Sequence, residues 1–164
     1  MVILIINICK DPLHYYEFVK PIEDILEKRN VKYETRYYQD ISVSDIKNAG
    51  KAIICGTSLK DNDFLQHIDK FDWLKTFGKP VLGICGGSHI LGLLLGKKLR
   101  KKQEIGLKKI GIRKEFLGIK GQLDVYCLHK LQVLPMTFHQ KNFYATLFHP
   151  EVRNQEIVLG FSAV

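Results

Sequence analysis

The chain has 164 residues, 46% of them hydrophobic and 26% charged, with a formal net charge of +8 at pH 7. That length suits one domain with a full apolar core, and that balance excludes a disordered, low-complexity or collagen-like chain. The single domain is expected to span residues 1–164, with no room for a second catalytic domain. The positive charge would permit an acidic partner or nucleic acid, but no aromatic interleaving or recognition-helix pattern supports nucleic acid.

In chain order, Val2 to Ile8 is an apolar run with no basic segment before it and no small-residue cleavage site after it. It reads as a first buried strand, neither a signal peptide nor a membrane span, so a cytoplasmic chain is expected. Cys9, Cys55, Cys85 and Cys127 are then expected to stay reduced, three of them packed inside strands. No Cys-x-x-Cys spacing points to zinc, and neither a metal nor a cofactor is expected. Tyr16 to Leu26 carries apolar residues on one helical face despite Pro21, and Val31 to Tyr38 alternates like a strand. Ala52 to Cys55 reads as a short buried strand, 61–77 as containing a helix that ends at Gly78-Lys79-Pro80, and Pro80 to Ile84 as the next strand.

After Gly96 the pattern changes to short strands around Ile105 to Ile112, Phe116 to Ile119, Asp124 to Leu128 and Tyr144 to Phe148. Lys97, Lys98, Arg100, Lys101, Lys102, Lys108 and Lys109 concentrate the charge, either as a solvated loop or as a docking surface for an acidic partner protein. Strands alternating with helices in the first half predict an α/β fold of three layers, an open and mostly parallel sheet with its site at the carboxyl ends of the strands.

Within that frame, Gly83-Ile84-Cys85-Gly86-Gly87-Ser88-His89 follows the apolar Val81-Leu82 and precedes Ile90-Leu91. This is a strand, a sharp turn and a helix with a thiol at the apex, so the thiol is expected to be presented and not packed. The helix aims its free N–H groups and partial positive charge at the sulphur, the setting in which a thiol nucleophile is activated. A base is supplied far along the chain by Phe148-His149-Pro150-Glu151, where a carboxylate two residues from an imidazole can fix its tautomer and orientation. Taken singly, Cys85 could be a core thiol, His149 a structural histidine and Glu151 a surface charge.

Together these residues resemble the class I glutamine amidotransferases, whose Cys-His-Glu triad lies on an elbow of pattern G-x-C-x-G-x-Q and a distal H-P-E. Ile53 to Ser58 resembles the family's strand and oxyanion loop, Glu104-Ile105-Gly106 its E-x-G segment, and His129 with Val133-Leu134-Pro135 and Phe138 the stretch lining its substrate pocket. The resemblance covers nearly the whole chain and implies the flavodoxin-like fold of that family. It implies Cys85 as nucleophile, His149 as proton shuttle and Glu151 as its orienting partner, with Gly86 and Thr57 N–H groups as the oxyanion hole. Gly56, His89, Leu128 and His129 fall around the substrate, although His129 could equally be a structural histidine.

The implied activity is hydrolysis of the glutamine side-chain amide through a cysteine thioester, supplying ammonia to a separate synthetase subunit, with a lean towards GMP synthase. One departure matters: His89 stands where the family usually has glutamine, four residues after the nucleophile and so on its helical face. It favours an alternative, a stand-alone hydrolase of γ-glutamyl compounds. A third reading is a non-catalytic binding module, against which the intact Cys85, His149 and Glu151 argue.

Overall fold

The computed structural model describes residues 1–164. Five parallel strands form the centre: β1 (Val2–Asn7), β2 (Tyr33–Tyr37), β3 (Ala49–Ile54), β4 (Val81–Ile84) and β8 (Phe143–Thr146). An antiparallel edge strand, β7 (Thr137–Gln140), completes the order β2-β1-β3-β4-β8-β7. The sheet is apolar on both faces because helices cover both. Leu4 and Ile6 of β1 pack with Phe64, Phe71, Ile90 and Leu91 on one side, while Ile3 and Ile5 meet Val19, Ile22, Leu26 and Phe161 on the other. That alternation along one strand sets the three layers.

The helices are α1 (His14–Phe18), α2 (Lys20–Glu27), α3 (Val43–Asn48), α4 (Leu74–Phe77), α5 (Gly86–Leu94) and α6 (Gln155–Ala163), with a 3-10 segment at Asp63–Phe71. The first expected helix is thus split in two, because Pro21 has no N–H to donate and sits in the first turn of α2. Sequence reasoning passed over α3, although Ser42 and Asp45 form a reciprocal capping box that marks its start. It also passed over α6, which Lys51 anchors. The Lys51 ammonium, buried in β3, donates to the Phe161 and Ser162 carbonyls at 3.1 and 2.6 Å, closing the helix end.

The region after Gly96 differs most from expectation. β5 (Arg100–Phe116) and β6 (Ile119–Gln132) form one long antiparallel hairpin outside the main sheet. Phe116 pairs with Ile119 across a tight turn, so the expected strand at 116–119 is a hairpin tip, with Leu117 and Gly118 both at positive φ. From Arg100 onward the basic stretch is strand, and only Lys97 and Lys98 lie in the connection before it. Ile105, Leu107 and Lys109 point outward, and the opposite face packs Ile112, Phe116, Val125 and Cys127 against Phe148 and Ile157. Of the cysteines, all buried and unpaired, only Cys127 lies inside a strand; Cys9 and Cys55 sit just beyond the ends of β1 and β3.

Candidate active site

The carboxyl ends of β1, β3, β4 and β8 come together where the strand order reverses, and the chemistry-bearing side chains collect there. Cys85 follows β4 and caps α5 with φ 49° and ψ −100°, a strained conformation for a residue with a Cβ. The turn's tightest dihedrals therefore fall on the cysteine itself, while its glycines provide space. A Cβ on Gly87 would stand 2.4 Å from the Ile54 carbonyl oxygen, and one on Gly83 would stand 2.6 Å from the Gly87 backbone. Only bare backbone lets α5 start this close to β3 and β4.

The thiol is less open than the motif predicts. Cys85 is 5% exposed, and its Sγ lies 3.5 Å from the Leu128 carbonyl of β6. The hairpin closes over the elbow, leaving a narrow cleft as the approach. Besides Cys85 and Gly86, its walls include Thr57, Asp61, His89 and His129.

His149, at the end of β8, is buried beside the elbow. Its Nδ1 pairs with Glu151 Oε1 at 2.8 Å across Pro150, and both side chains are 1% exposed. Burial disfavours the charged imidazole, but the Glu151 carboxylate and the Cys85 sulphur outweigh it and raise the His149 pKa well above the ordinary histidine value. His149 and Cys85 converge on Gly56. A Cβ there would lie 2.7 Å from His149 Cε1 and 3.4 Å from Cys85 Cβ, so the glycine is the gap in which the two meet. The carboxylate is thus joined to the imidazole, and the ring's other nitrogen, Nε2, has no hydrogen-bond partner.

Thr57 follows Gly56, and its N–H makes no backbone hydrogen bond. Gly86 opens α5, where the first N–H groups have no intrahelical acceptor. Both line the cleft with Cys85. Their loop is braced: Thr57 Oγ1 donates to Asp61 Oδ2 at 2.7 Å, and Cys9 Sγ lies 3.6 Å from the Gly56 carbonyl. Asp61 carries no signal in the sequence, where an aspartate in a polar Lys-Asp-Asn-Asp run reads as a solvated charge.

His89 lines the same cleft, as the four-residue spacing predicts, with 3% exposure and an unpartnered Nδ1. Burial, helped by nearby His129, pushes its pKa down to about 4 and keeps it neutral. His129 is 2% exposed, and burial also lowers its pKa, partly offset by Glu104. Its Nε2 approaches Glu104 Oε2 to 3.1 Å without hydrogen-bond alignment. With Cys127 these two form a group whose donor atoms lie within 4.8 Å of one another, one donor short of a closed structural zinc site.

The family model of class-I glutamine amidotransferases matches residues 13–158. The glutamine-hydrolysing GMP synthase subunit of Sulfolobus acidocaldarius is 25% identical over 144 residues, covering 71% of this chain and 75% of that one. The GMP synthase of Aquifex aeolicus is 35% identical over 98 residues, 46% of this chain, and the match spans only 19% of that longer protein. Among solved structures, a candidate GMP synthase subunit from Thermoplasma acidophilum superposes with a TM-score of 0.85 at 18% identity, covering 99% of this chain and 92% of that one. A glutamine amidotransferase from Thermotoga maritima gives 0.65 at 16% identity, covering 92% and 76%. At such identities these two likenesses concern the fold.

Proposed function

The chain belongs to the class I glutamine amidotransferases, and from that premise we propose that Cys85, His149 and Glu151 are its catalytic triad and that the ammonia released goes to a separate synthetase of the GMP synthase kind. The observation that carries the reading is the convergence of Cys85 and the Glu151-paired His149 on Gly56.

In the proposed reaction the Cys85 thiolate adds to the side-chain amide carbon of glutamine. The developing oxyanion takes the Thr57 and Gly86 N–H groups, an arrangement in which one donor is typically worth about 3 kcal/mol of barrier. Charged His149 gives its proton to the amide nitrogen, ammonia leaves, and a thioester remains. Neutral His149 then takes a proton from water as its oxygen attacks the thioester, and collapse frees glutamate and the thiolate. The raised His149 pKa suits the first proton transfer, since the leaving nitrogen needs an acid.

The outward face of the hairpin, where Ile105 and Leu107 stand exposed beside Lys109, is the proposed docking surface for an acidic synthetase. Ammonia release from glutamine, measured at low and high salt with and without a synthetase of the GMP synthase type, tests this. Stimulation that fades as salt rises is expected, because exposed charges are screened over roughly 10 Å at 0.1 M. Full activity of the lone chain, unchanged by any synthetase, would favour the γ-glutamyl hydrolase reading, which the neutral, unpartnered His89 in the cleft also supports.

A further inference from the structure

Asp61 is the only acidic residue among those lining the cleft that holds Cys85. Its side chain is 5% exposed, yet its two oxygens differ. Oδ2 accepts from Thr57 Oγ1 and from the Lys10 N–H, both at 2.7 Å. Oδ1 is equally buried and has no partner. The adjacent basic side chains do not supply one: Lys10 Nζ pairs with Asp63 at 3.4 Å, and His14 Nδ1 stands 3.9 Å from Oδ2, the oxygen already used. A buried carboxylate oxygen left without a donor is costly, so it marks a place where a ligand completes the set.

We propose that Asp61 Oδ1 is the receptor for the α-ammonium group of the substrate. The inference rests on the reading of this cleft as the place where a glutamine or γ-glutamyl side chain is attacked. Either compound carries the same ammonium at the end remote from the reacting amide, so the proposal holds for both. The brace on Thr57 gives the contact a second consequence. Binding of the ammonium at Oδ1 fixes the carboxylate whose other oxygen holds the oxyanion loop.

The test compares L-glutamine with 4-carbamoylbutanoate, which is glutamine without its α-amino group. Both are titrated calorimetrically against Cys85→Ala, and ammonia release from both is followed with the unsubstituted protein. L-Glutamine should bind about 10- to 100-fold more tightly, the range for a hydrogen bond to a charged group. Asp61→Asn, which keeps an acceptor for Thr57 and Lys10, should erase that preference by raising KM for glutamine alone. Equal binding of the two compounds, or of neither, would overturn the proposal, and this comparison does not depend on Asp61→Asn folding. So would an Asp61→Asn protein that loses kcat equally on both substrates at unchanged KM, since Asp61 would then only brace Thr57. If the protein releases no ammonia but Cys85→Ala still prefers glutamine, the ammonium site stands and the catalytic reading falls.

Discussion

One wall of the cleft, carrying Cys85 and His89, grows out of the parallel sheet, with His149 buried beside the elbow, whereas the other, carrying Leu128 and His129, belongs to a hairpin outside it. The sheet wall is over-determined. Glycines bring α5 against β3, Cys85 sits in a strained turn between β4 and α5, and His149 is locked to Glu151. The hairpin wall is packed on one face only, and its outer face is left to solvent. On the proposed function, the contrast separates two tasks: the sheet would hold the reacting atoms, and the hairpin would cover them and offer a surface to a synthetase. It extends to the histidines, since the pKa of His149 is raised by its partners while those of His89 and His129 are lowered by burial.

Changes to the sheet wall should therefore stop chemistry, and changes to the outer hairpin should not. The largest effect is expected for His149→Ala, which should lower kcat by on the order of a thousandfold or more while leaving the fold intact by circular dichroism. Gly56→Ala should follow. Its Cβ would press to 2.7 Å from His149 Cε1, and a displacement near 1 Å typically costs about a hundredfold in kcat.

His89 sharpens the contrast through stability. Its pKa in the folded chain, about 4, lies below the ordinary value of 6.5, so the unfolded chain holds the proton more tightly. Stability from this group is complete above pH 6.5 and is lost as pH falls towards 4, at most about 3 kcal/mol. Denaturant unfolding at pH 7 and pH 4 should show His89→Gln losing less stability on acidification than the unsubstituted chain, and an identical loss would place no such cost at His89. The smallest effect belongs to the hairpin. Leu107→Ser with Lys109→Glu should leave the lone chain's turnover unchanged and reduce stimulation by a synthetase several-fold.

How far the sequence foretold this site follows from the same division. The elbow and His149-Pro150-Glu151 were legible because local chemistry dictates them: a turn against a sheet needs glycine, and a proline fixes the carboxylate near the ring. The strands β1, β3 and β4 were legible because burial on both faces requires continuous apolar runs. The hairpin reads as short strands because Gly106, Gly111 and the lysines of β5 break the apolar alternation that marks a strand. The burial of Cys85 and the role of Asp61 depend on contacts across the chain, Leu128 over the sulphur and Thr57 with Lys10 on the carboxylate, which no local pattern encodes.

Whether the Cys85 sulphur is the nucleophile of this cleft is read most directly by covalent labelling. The folded protein is treated with a chloroketone analogue of glutamine and digested, and each cysteine peptide is weighed by mass spectrometry. Cys85 is expected to carry the label, with Cys9, Cys55 and Cys127 unmodified, excess L-glutamine slowing the reaction and Cys85→Ala abolishing it. Labelling spread evenly over the four thiols, or labelling of Cys85 that glutamine does not slow, would contradict the assignment.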